Sequence, residues 1–568
     1  MVLPKTMPSI VGKQIKGRTY YYLVESARVN GKPRIVSQQY LGTTEEVMGR
    51  LGEGAGGEPD ATRHLSFGNI AAIWNMLLRI GVIDIIDAAV GSRRSDAAAS
   101  VGTYIALACL NRVVSPCSKL GFARWWETTV GPRLLHIPQE ALDHHYFWKA
   151  MDAITPEQLV VIERKIAERM VAAFSIDLSG LVLDMTNFAT YIDSANPRAP
   201  IAKRGHAKQK RTDLRLVGLG LVVSTDGAVP LVSQAYAGDK PDVTQFPDVI
   251  SELAKRFGAL AATTGDLTVV YDAGQDSQDN QELIHTSPLH FVGSLPPSDR
   301  PELLAIPMTR YRMVDAARFP GLRAFETRAT ALGREYRVVV THSATLAAKQ
   351  QQGFDQTLAG VGRKLADVAA RLERGHGRKG REAVEKEIAT ITSPRWVNRV
   401  LTTTLAGTGP QSLNLSWTVN TTARDTLETE IFGKRILFTD RETWTTAQVV
   451  AAYRSQSEVE ADFRQMKDAH VVSFSPMYHW TDQKIRVHAF YCVLALAVAR
   501  LMQREVSRTG LNMSVREMLH TLGGIEETVM LYHGETGRPR ARRMLTEMSS
   551  PQKHLFDLFE LQALAPKR

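Results

Sequence analysis

Two aspartates follow apolar segments of the chain in a pattern that is typical of a carboxylate site. The run GLVLD ends in Asp184 and the run DLTVVYD ends in Asp272, so each acid is predicted to close a β-strand. Two carboxylates at neighbouring strand ends repel each other, and a bound cation relieves that repulsion. Carboxylate oxygens favour Mg²⁺ or Mn²⁺, ions that commonly serve phosphoryl transfer. Taken alone, each aspartate is better explained as the cap of a turn or of a following helix.

A third acid lies in residues 451–468, AAYRSQSEVEADFRQMKD, which have the periodicity of a helix. At about 100° per residue, four polar side chains share one face of that helix: Gln456, Glu460, Arg464 and Lys467. Phe463 and Met466 lie beside this face and are predicted to pack on a core. A helix packed in this way directs Glu460 towards the two aspartates. The same spacing fits an ordinary charged helix surface equally well.

The segment that carries both aspartates, residues 179–295, alternates strand and helix patterns. Three apolar runs come first: GLVLD, LRLVGLGLVVS and VPLVSQAY. An amphipathic helix, the strand DLTVVYD, a polar helix and the strand HFVGSL follow. The predicted order is therefore β-β-β-α-β-α-β, with the acids at one edge of the sheet.

The N-terminal part of the chain has other patterns, and 568 residues are too many for one ordinary core. Residues 1–51 are predicted to form a small β-rich module with a hairpin turn at Asn30-Gly31. A glycine-rich linker is predicted over 52–60. The apolar spacing in 61–178 predicts a helical domain.

The C-terminal part resumes the strand and helix pattern only after an interruption. Residues 296–430 are predicted to form an insertion that contains a highly charged helical stretch. Residues 431–505 are predicted to complete the core with the strand KRILFTD, a long helix over about 447–467 and a buried apolar helix around 488–502. The basic region 506–568 closes the chain, and its run GRPRARR fits a disordered tail and a nucleic-acid contact equally well.

Composition favours a soluble protein with a polyanionic partner. Lys and Arg number 69 against 59 Asp and Glu, a formal net charge of +10 with a pI near 9.4. Three cysteines exclude a disulfide framework and favour a reducing compartment. The first residues lack the apolar core of a signal peptide, and the most apolar run, 489–499, is short for a membrane span. We therefore expect no membrane partner.

A cluster of basic residues follows the first acid-bearing strand. Its members are Lys203, Arg204, Lys208, Lys210, Arg211 and Arg215. Only Asp213 opposes them, so the cluster is suited to contact a nucleic-acid backbone beside the acids. A solvated loop before the second strand is the alternative. The neighbouring acids favour the backbone contact.

These features together resemble the DDE transposases of bacterial insertion sequences, in particular the insertion-sequence-4 superfamily and its insertion-sequence-1634 branch. In that family the third acid lies on a helix with the signature Tyr, two residues, Arg, three residues, Glu, six residues, Lys. Tyr453, Glu460 and Lys467 match this spacing, whereas Gln456 occupies the arginine position. The stretches around both aspartates are also similar to the family's. The candidates to replace the missing charge are Arg454 and Arg464.

The resemblance implies an α/β fold with a ribonuclease-H-like catalytic core. Its mixed five-stranded sheet would be interrupted by the insertion and preceded by the β module and the helical domain. Asp184, Asp272 and Glu460 would hold two Mg²⁺ ions, for which Mn²⁺ could substitute. The site would cleave DNA at the ends of the element and join the freed 3′-OH to target DNA. Phosphate contacts beyond the basic cluster are expected from Tyr453, Arg464 and Lys467.

The partners implied are double-stranded DNA, as terminal inverted repeats and as target, and a second copy of the chain in a synaptic homodimer. The resemblance places the protein in the bacterial cytoplasm, on the nucleoid when it is bound to DNA. The β module and the helical domain are the candidates for recognising the DNA ends. Two alternatives stay open: a nuclease of the same fold without strand transfer, and a catalytically inactive DNA-binding descendant, to which Gln456 points.

Overall fold

A computed structural model describes residues 7–29, 32–48, 58–91, 98–193, 195–205, 213–264, 266–374, 380–532 and 540–567. The chain divides into two compact units. The first comprises Met1–Leu65, Glu526–Glu547 and Ala565–Arg568, and the second comprises Ser66–Ile525 and Met548–Leu564. All three predicted acids belong to the second unit.

The first unit contains two three-stranded sheets, in the orders β1-β2-β3 and β17-β16-β4, with strands numbered along the chain. Their bounds are β1 Met7–Ile15, β2 Arg18–Val29, β3 Lys32–Thr43, β4 Ala61–Ser66, β16 Glu526–Tyr532 and β17 Arg540–Leu545. Val29 pairs with Lys32 on either side of the predicted hairpin turn. Asn30-Gly31 itself, and residues 49–57 at the predicted linker, lie outside the described residues.

The run GRPRARR is not a disordered tail where the structure describes it. Arg540, Arg542 and Arg543 belong to β17, which pairs antiparallel with β16. Arg543 Nη1 lies 2.6 Å from Oε1 of the buried Glu527, so one of these charges is neutralised within the unit. Of the two interpretations left open for this run, the disordered tail is therefore contradicted for the described residues, and the nucleic-acid contact stays untested. Arg538 lies outside the described residues.

The second unit begins with helices, as the apolar spacing predicts. They are α1 Gly68–Ile80, α2 Val82–Val90, α3 Val101–Val114, α4 Phe122–Trp126, α5 Gly131–Leu134, α6 His144–Asp152 and α7 Pro156–Phe174. Thr155 begins α7 with a capping box, in which its side chain and that of Gln158 each accept a hydrogen bond from the other's backbone N–H. Ser100 caps α3 by accepting from Thr103 N–H.

A nine-stranded mixed sheet carries the acids, in the order β10-β11-β12-β15-β9-β8-β5-β6-β7. Its strands are β5 Gly180–Thr190, β6 Arg215–Ser224, β7 Pro230–Ala237, β8 Thr268–Val270, β9 His290–Leu295, β10 Arg312–Met313, β11 Leu322–Ala331, β12 Arg334–Ser343 and β15 Lys434–Thr439. β8 runs parallel to β5 and β9, and the other neighbours pair antiparallel. The two connecting helices are α8 Asp242–Thr264 and α9 Gln278–His285, so the order β-β-β-α-β-α-β is observed.

The strands β5 to β9 are neighbours in this sheet, but the expected number of five was wrong because four further strands extend it beyond β9. β15 pairs with β9, with Phe438 opposite Gly293, and β12 pairs with β15 in turn. The predicted insertion therefore supplies β10, β11 and β12 to the same sheet. Strands at an open sheet edge gain backbone hydrogen bonds by pairing, and this long-range pairing leaves no trace in the local order of elements.

The rest of the segment 296–430 is mainly helical. Its elements are α10 Pro301–Leu304, α11 Ala344–Glu373, α12 Arg381–Thr392, α13 Val397–Val400, the paired strands β13 Leu401–Ala406 and β14 Asn414–Val419, and α14 Thr421–Glu430. The charged stretch forms α11 and α12, which pack on each other with Arg371 Nη2 2.8 Å from Glu387 Oε2. The helices after β15 are α15 Thr446–Arg454, α16 Gln456–Met466, α17 Asp482–Arg508, α18 Val515–Gly523 and α19 Ser550–Leu558.

Helix α17 is the apolar helix that was predicted around residues 488–502. By length and composition it could cross a membrane, but 89% of its most apolar window is buried inside the protein. It packs against α1, α3, α6 and α7, and against β7 of the sheet. The bent pair α1 and α2 passes the same composition test with an angle of 51° between the helices. The burial of α17 is that of a helix in a protein core.

Candidate active site

Asp184 lies in the middle of β5, so the prediction that it ends a strand was wrong. Pairing with β6 continues past Asp184 as far as Thr190, opposite Arg215. The neighbouring β8 is much shorter, and its last pair with β5 joins Val270 to Val182. Asp184 therefore lies at the level where β8 has already ended.

The parallel register of β5 and β8 brings the first two acids together. Val182 is paired with Val270, and Asp184 and Asp272 each lie two residues beyond that pair. Residues two positions apart on a strand share a face, and Asp272 keeps an extended backbone with φ −94° and ψ 163°. Both acids thus emerge on the same side of the sheet, at the point where its parallel part ends.

The Asp272 carboxylate is held by hydrogen bonds from two hydroxyl groups. Ser294 Oγ, from the end of β9, donates to Asp272 Oδ1 at 2.8 Å. Tyr453 Oη lies 3.1 Å from the same oxygen and 3.1 Å from Ser294 Oγ. Asp272 remains exposed beside these contacts. Its carboxylate therefore has a fixed orientation and an open face.

Tyr453 connects Asp272 to the helices that follow β15. Only 6% of its surface is exposed, and burial followed by the charge of Asp272 raises the pKa of its hydroxyl. Arg435 of β15 donates from Nη1 to Tyr453 Oη at 3.2 Å, and its guanidinium lies 5.5 Å from the tyrosine ring. Arg435 contacts the signature tyrosine, but the sequence patterns do not reveal it, since it is one basic residue in an otherwise buried strand.

Glu460 lies on a helix separate from that of Tyr453. The single helix predicted over 447–467 is divided at Ser455, which ends α15 and begins α16 with φ −65° and ψ −11°. α16 packs against β5, and Glu460 is exposed on it. Glu460, Tyr453 and Arg435 line one cavity of about 320 Å³. The third acid thus faces the same space as the tyrosine that contacts the second acid.

Lys467, at the C-terminal end of α16, contacts the strand of the first acid. Its Nζ donates to Thr186 Oγ1 at 2.9 Å and lies 5.5 Å from the centroid of the Phe188 ring. Thr186 is two residues from Asp184 on the same face of β5. The signature lysine is therefore placed beside the first acid.

Tyr453 thus contacts Asp272 and shares a cavity with Glu460, and Lys467 bonds to the strand that carries Asp184. A family model described as "Transposase DDE domain" matches residues 177–496, more than half of the chain. The chain belongs to the DDE transposase family. The DDE domain spans β5 to α17 and so includes every residue of the site described above.

Other comparisons add little to this assignment. No curated protein sequence shows significant similarity to the transposase. Among solved structures, a piggyBac transposase synaptic complex with hairpin DNA is similar over 81% of this chain and 80% of that chain, with 10% identity and a TM-score of 0.35. At that TM-score the likeness is too weak to support any inference.

Gln456 and Arg454 line the same cavity as Glu460, and Arg464 is not among the residues that line it. Gln456 is 8% exposed, and its Nε2 has no hydrogen-bond partner in the described part of the chain. Arg454 stacks on the ring of Phe319 at 4.7 Å, and Arg464 is exposed on α16. Of the arginines near the signature tyrosine, Arg435 is the one that contacts its hydroxyl.

Asp276 is a fourth acid of the transposase site, and the sequence patterns do not single it out. It follows Asp272 by four residues, and both of its carboxylate oxygens are buried without a hydrogen-bond partner among the described residues. Burial, then the charges of Asp272 and Asp299, raises its pKa to about 8. A buried, unpaired carboxyl beside another carboxylate is the signal of a missing positive charge, and it depends on three-dimensional burial that a single sequence does not show.

The donor chemistry fits divalent cations of the Mg²⁺ type. Asp184, Asp272 and Glu460 offer carboxylate oxygens, the ligands that such ions prefer. Asp276, whose raised pKa favours the protonated form, adds two carboxyl oxygens near Asp272 that no described side chain satisfies by hydrogen bonding and that a cation would convert to a carboxylate. The residues present therefore fit a divalent metal site.

Among the described residues, another group of side chains of the types that bind metals is explained by helix capping. Asp143, His144 and His145 lie together at the start of α6. Asp143 is the N-cap of that helix and accepts from His145 N–H at 2.9 Å. The cap accounts for the cluster.

The basic cluster after β5 is only partly described. Lys203 and Arg204 are exposed, and the backbone of Lys203 exchanges hydrogen bonds with Leu216 at 3.0 and 2.7 Å. Arg215 donates from Nη1 to Asn196 O at 3.0 Å. The remaining members, Lys208, Lys210 and Arg211, lie outside the described residues.

Proposed function

We propose that the protein is the transposase of a bacterial insertion sequence of the insertion-sequence-4 superfamily, within its insertion-sequence-1634 branch. It cleaves DNA at the terminal inverted repeats of the element and transfers the freed 3′-OH into target DNA. The observation that carries this proposal is the hydrogen bond of Tyr453 to Asp272 beside the cavity that Glu460 lines. It supports the proposal because the signature tyrosine touches one proposed acid and borders the space that another proposed acid lines, on what we take to be a ribonuclease-H-like core.

Asp184, Asp272 and Glu460 would hold two Mg²⁺ ions, with Mn²⁺ as a substitute. Bound there, the ions supply an activated nucleophile and neutralise charge on the leaving oxygen. Ser294 and Tyr453 orient the Asp272 carboxylate through its Oδ1. Such supporting hydrogen bonds fix the direction of a ligand and its basicity.

The cationic side chains of the site are suited to hold the DNA backbone. Lys467 Nζ lies beside Thr186 on the strand of Asp184, where it can meet a phosphate as a point charge. Arg464, Lys203 and Arg204 are exposed and extend this positive surface. We assign the undescribed Lys208, Lys210 and Arg211 to the same backbone contact. In phosphoryl transfer the protein mainly positions the groups and stabilises charge, which is what these residues do.

The remaining partners follow from the reaction. Pairing two element ends requires two active sites, so we propose a homodimer in the synaptic complex, on double-stranded DNA in the bacterial cytoplasm. The first unit and the helices α1–α7 are the proposed readers of the element ends. The first unit and these helices lie outside the strands and helices that carry the acids, so they are available to contact DNA away from the cleavage site.

The test is an excision assay with Mg²⁺ on a DNA fragment that carries the sequences flanking this reading frame. Wild type is compared with Glu460→Ala, and with Glu505→Ala as a control acid on α17. We expect wild type and the control to excise the element with liberated 3′-OH ends, and Glu460→Ala to excise nothing. Cutting that ignores the flanking sequence would indicate a nuclease without strand transfer. Bound but uncut DNA in every sample would indicate an inactive DNA-binding descendant, with Gln456→Arg as the attempt at rescue.

A further inference from the structure

Three large aromatic side chains lie exposed beyond the end of β5. Tyr191, Tyr478 and Trp480 expose 57%, 62% and 53% of their surface, and the rings of Tyr191 and Tyr478 are 6.1 Å apart. We call these three residues the aromatic platform. Single exposed apolar residues are ordinary on a protein surface, but a group of large rings leaves a substantial apolar area in water. Such an area indicates a binding surface.

The platform is supported by a fixed backbone. Asn196 Nδ2 donates to Trp480 O at 2.8 Å, and Asp482 N–H donates to Arg198 O at 3.0 Å. In return, Asp482 Oδ1 accepts from Ile201 N–H at 2.9 Å. These bonds join the segment after β5 to the segment after α16. The rings are therefore presented by two tied segments, which reduces the entropy lost when a ligand binds.

The platform continues directly from the catalytic strand. Three residues before Tyr191, the ring of Phe188 on β5 stacks on Phe474 at 4.0 Å. Lys467 Nζ, which bonds to Thr186, lies 5.5 Å from the centroid of the same Phe188 ring. Tyr191 follows Asp184 by seven residues, about 23 Å along an extended strand. That length matches about seven nucleotides at 3.4 Å each along one strand of DNA.

The charges around the platform favour a polyanion. Arg198, Lys203 and Arg204 are all exposed, and the Arg198 guanidinium lies 5.6 Å from the Trp480 ring. The nearby acids Asp193 and Asp482 each accept a backbone N–H with Oδ1. Exposed rings among exposed basic side chains are the combination that binds single-stranded nucleic acid, because bases stack on the rings and phosphates contact the cations.

We propose that the aromatic platform stacks on unpaired bases of a DNA strand that leads to the active site, while Arg198, Lys203 and Arg204 contact its phosphates. Bases within a duplex already stack on each other and offer no face to a protein ring, so the platform takes a strand that is unpaired beside the cleavage position. The inference rests on the proposed function, which supplies DNA as the substrate.

The experiment measures the affinity of the full chain for a fluorescein-labelled oligothymidine and for a duplex of the same length, by anisotropy in EDTA so that no cleavage occurs. Trp480→Ala and Tyr478→Ala are compared with the matched variants Trp480→Phe and Tyr478→Phe, which keep a ring. Stacking on one aromatic side chain contributes enough for about a tenfold loss of single-strand affinity in each alanine variant. The phenylalanine variants keep most of the affinity, and duplex affinity changes less than about twofold in all four.

A second readout locates the contact. An oligothymidine with one 5-iodouracil is irradiated in the complex, and the crosslinked peptide is identified by mass spectrometry. A crosslink on residues 478–480 that disappears in Trp480→Ala supports the proposal. A crosslink confined to other segments, together with unchanged affinities in the alanine variants, overturns it.

Three further outcomes distinguish base stacking from a duplex contact and from a contact between copies of the chain. An equal loss for duplex and single strand in Trp480→Ala overturns stacking on unpaired bases. A loss of self-association in sedimentation, with DNA affinities unchanged, overturns it too and assigns the surface to a second copy of the chain. A wild type that binds oligothymidine through Trp480 but excises no element would overturn the transposase proposal and leave the platform in place.

Discussion

The hydroxyl of Tyr453 lies 3.1 Å from Asp272 Oδ1, although 181 residues separate the two in the chain. The contact joins α15 to the end of β8, where the parallel part of the sheet stops. The tyrosine is buried and Asp272 is exposed, so the hydroxyl supports the carboxylate from within the protein. This geometry makes Tyr453 a positioning residue for the second acid, whatever further contact it makes with DNA.

Tyr453→Phe should therefore lower the rate of DNA cleavage and leave DNA binding nearly unchanged. Loss of a hydrogen bond that orients a metal-ligating group typically costs about 10- to 100-fold in activity or metal affinity. The measurement is the single-turnover cleavage rate with Mg²⁺, together with duplex affinity in EDTA. Tyr336→Phe is the control, because its hydroxyl contacts His285 elsewhere in the sheet. A large loss of duplex affinity with an unchanged cleavage rate would instead show that the hydroxyl serves as a phosphate contact.

Arg435 should matter more for cleavage than either arginine that the sequence offered as a replacement for Gln456. Its guanidinium donates to Tyr453 Oη, which in turn contacts Asp272, whereas Arg454 stacks on Phe319. We expect Arg435→Ala to reduce cleavage about tenfold or more, by analogy with other supporting contacts. Arg454→Ala and Arg464→Ala, measured in the same single-turnover assay, should lose less. Equal or greater losses in either of them would contradict the assignment.

The order of strands and helices in residues 179–295 is predictable from the sequence because it depends on local patterns, and the role of the three acids stays a prediction. Apolar runs and helical spacing define β5 to β9 and the two helices between them, and an acid after such a run is visible directly. The resemblance then selected Tyr453, Glu460 and Lys467, which lie around one site. The strands predicted from apolar runs and the residues selected by the family signature therefore belong to the same part of the sheet, as expected when local propensity and tertiary fold are consistent.

The errors share a different origin. The strands β10 to β12 join the core sheet through β15, and Asp276 becomes unpaired only when other elements bury it. The division at Ser455 also has no sequence signal, since the residue ends one helix and begins the next without glycine or proline. The added strands and the burial of Asp276 depend on contacts between distant segments, which residue spacing in a single sequence does not encode.

Asp276→Asn should weaken the binding of divalent metal ions. The wild-type carboxyl is buried without a hydrogen-bond partner among the described residues near Asp272, and its pKa is raised to about 8. A bound cation displaces its proton and gains the attraction of the carboxylate, whereas the amide cannot become charged. We expect the increase in melting temperature on adding Mn²⁺ to need about tenfold more metal than in wild type. Asp279→Asn, on α9, is the control, since Asp279 is an exposed residue of the first helical turn. An unchanged Mn²⁺ titration in Asp276→Asn would show that this acid does not act on the metal site.

The stability of the second unit should rise with pH through a buried lysine between α3 and α4. Lys119 is 7% exposed, and its Nζ lies 4.6 Å from the Tyr491 ring without a hydrogen-bond partner in the described residues. Burial, followed by the charge of Arg112, lowers its pKa to about 7, against about 10.4 in an unfolded chain. The unfolded state therefore holds the proton more tightly. Above about pH 10.4 the lysine is neutral in both states and does not lower the free energy of unfolding. As the pH falls from about 10.4 towards 7, the free energy of unfolding decreases by up to about 1.4 kcal/mol per pH unit.

Lys119→Met should flatten this dependence, because methionine fills a similar apolar space and carries no proton. The measurement is the melting temperature of wild type and variant by calorimetry at pH 7, 8 and 9, with the exposed Lys553→Met as the control for a change in net charge. The wild type and the control should become more stable across this range, and Lys119→Met should gain less and melt higher than wild type at pH 7. A variant with the same slope as wild type would mean that Lys119 is solvated in the folded protein and carries its charge at no cost.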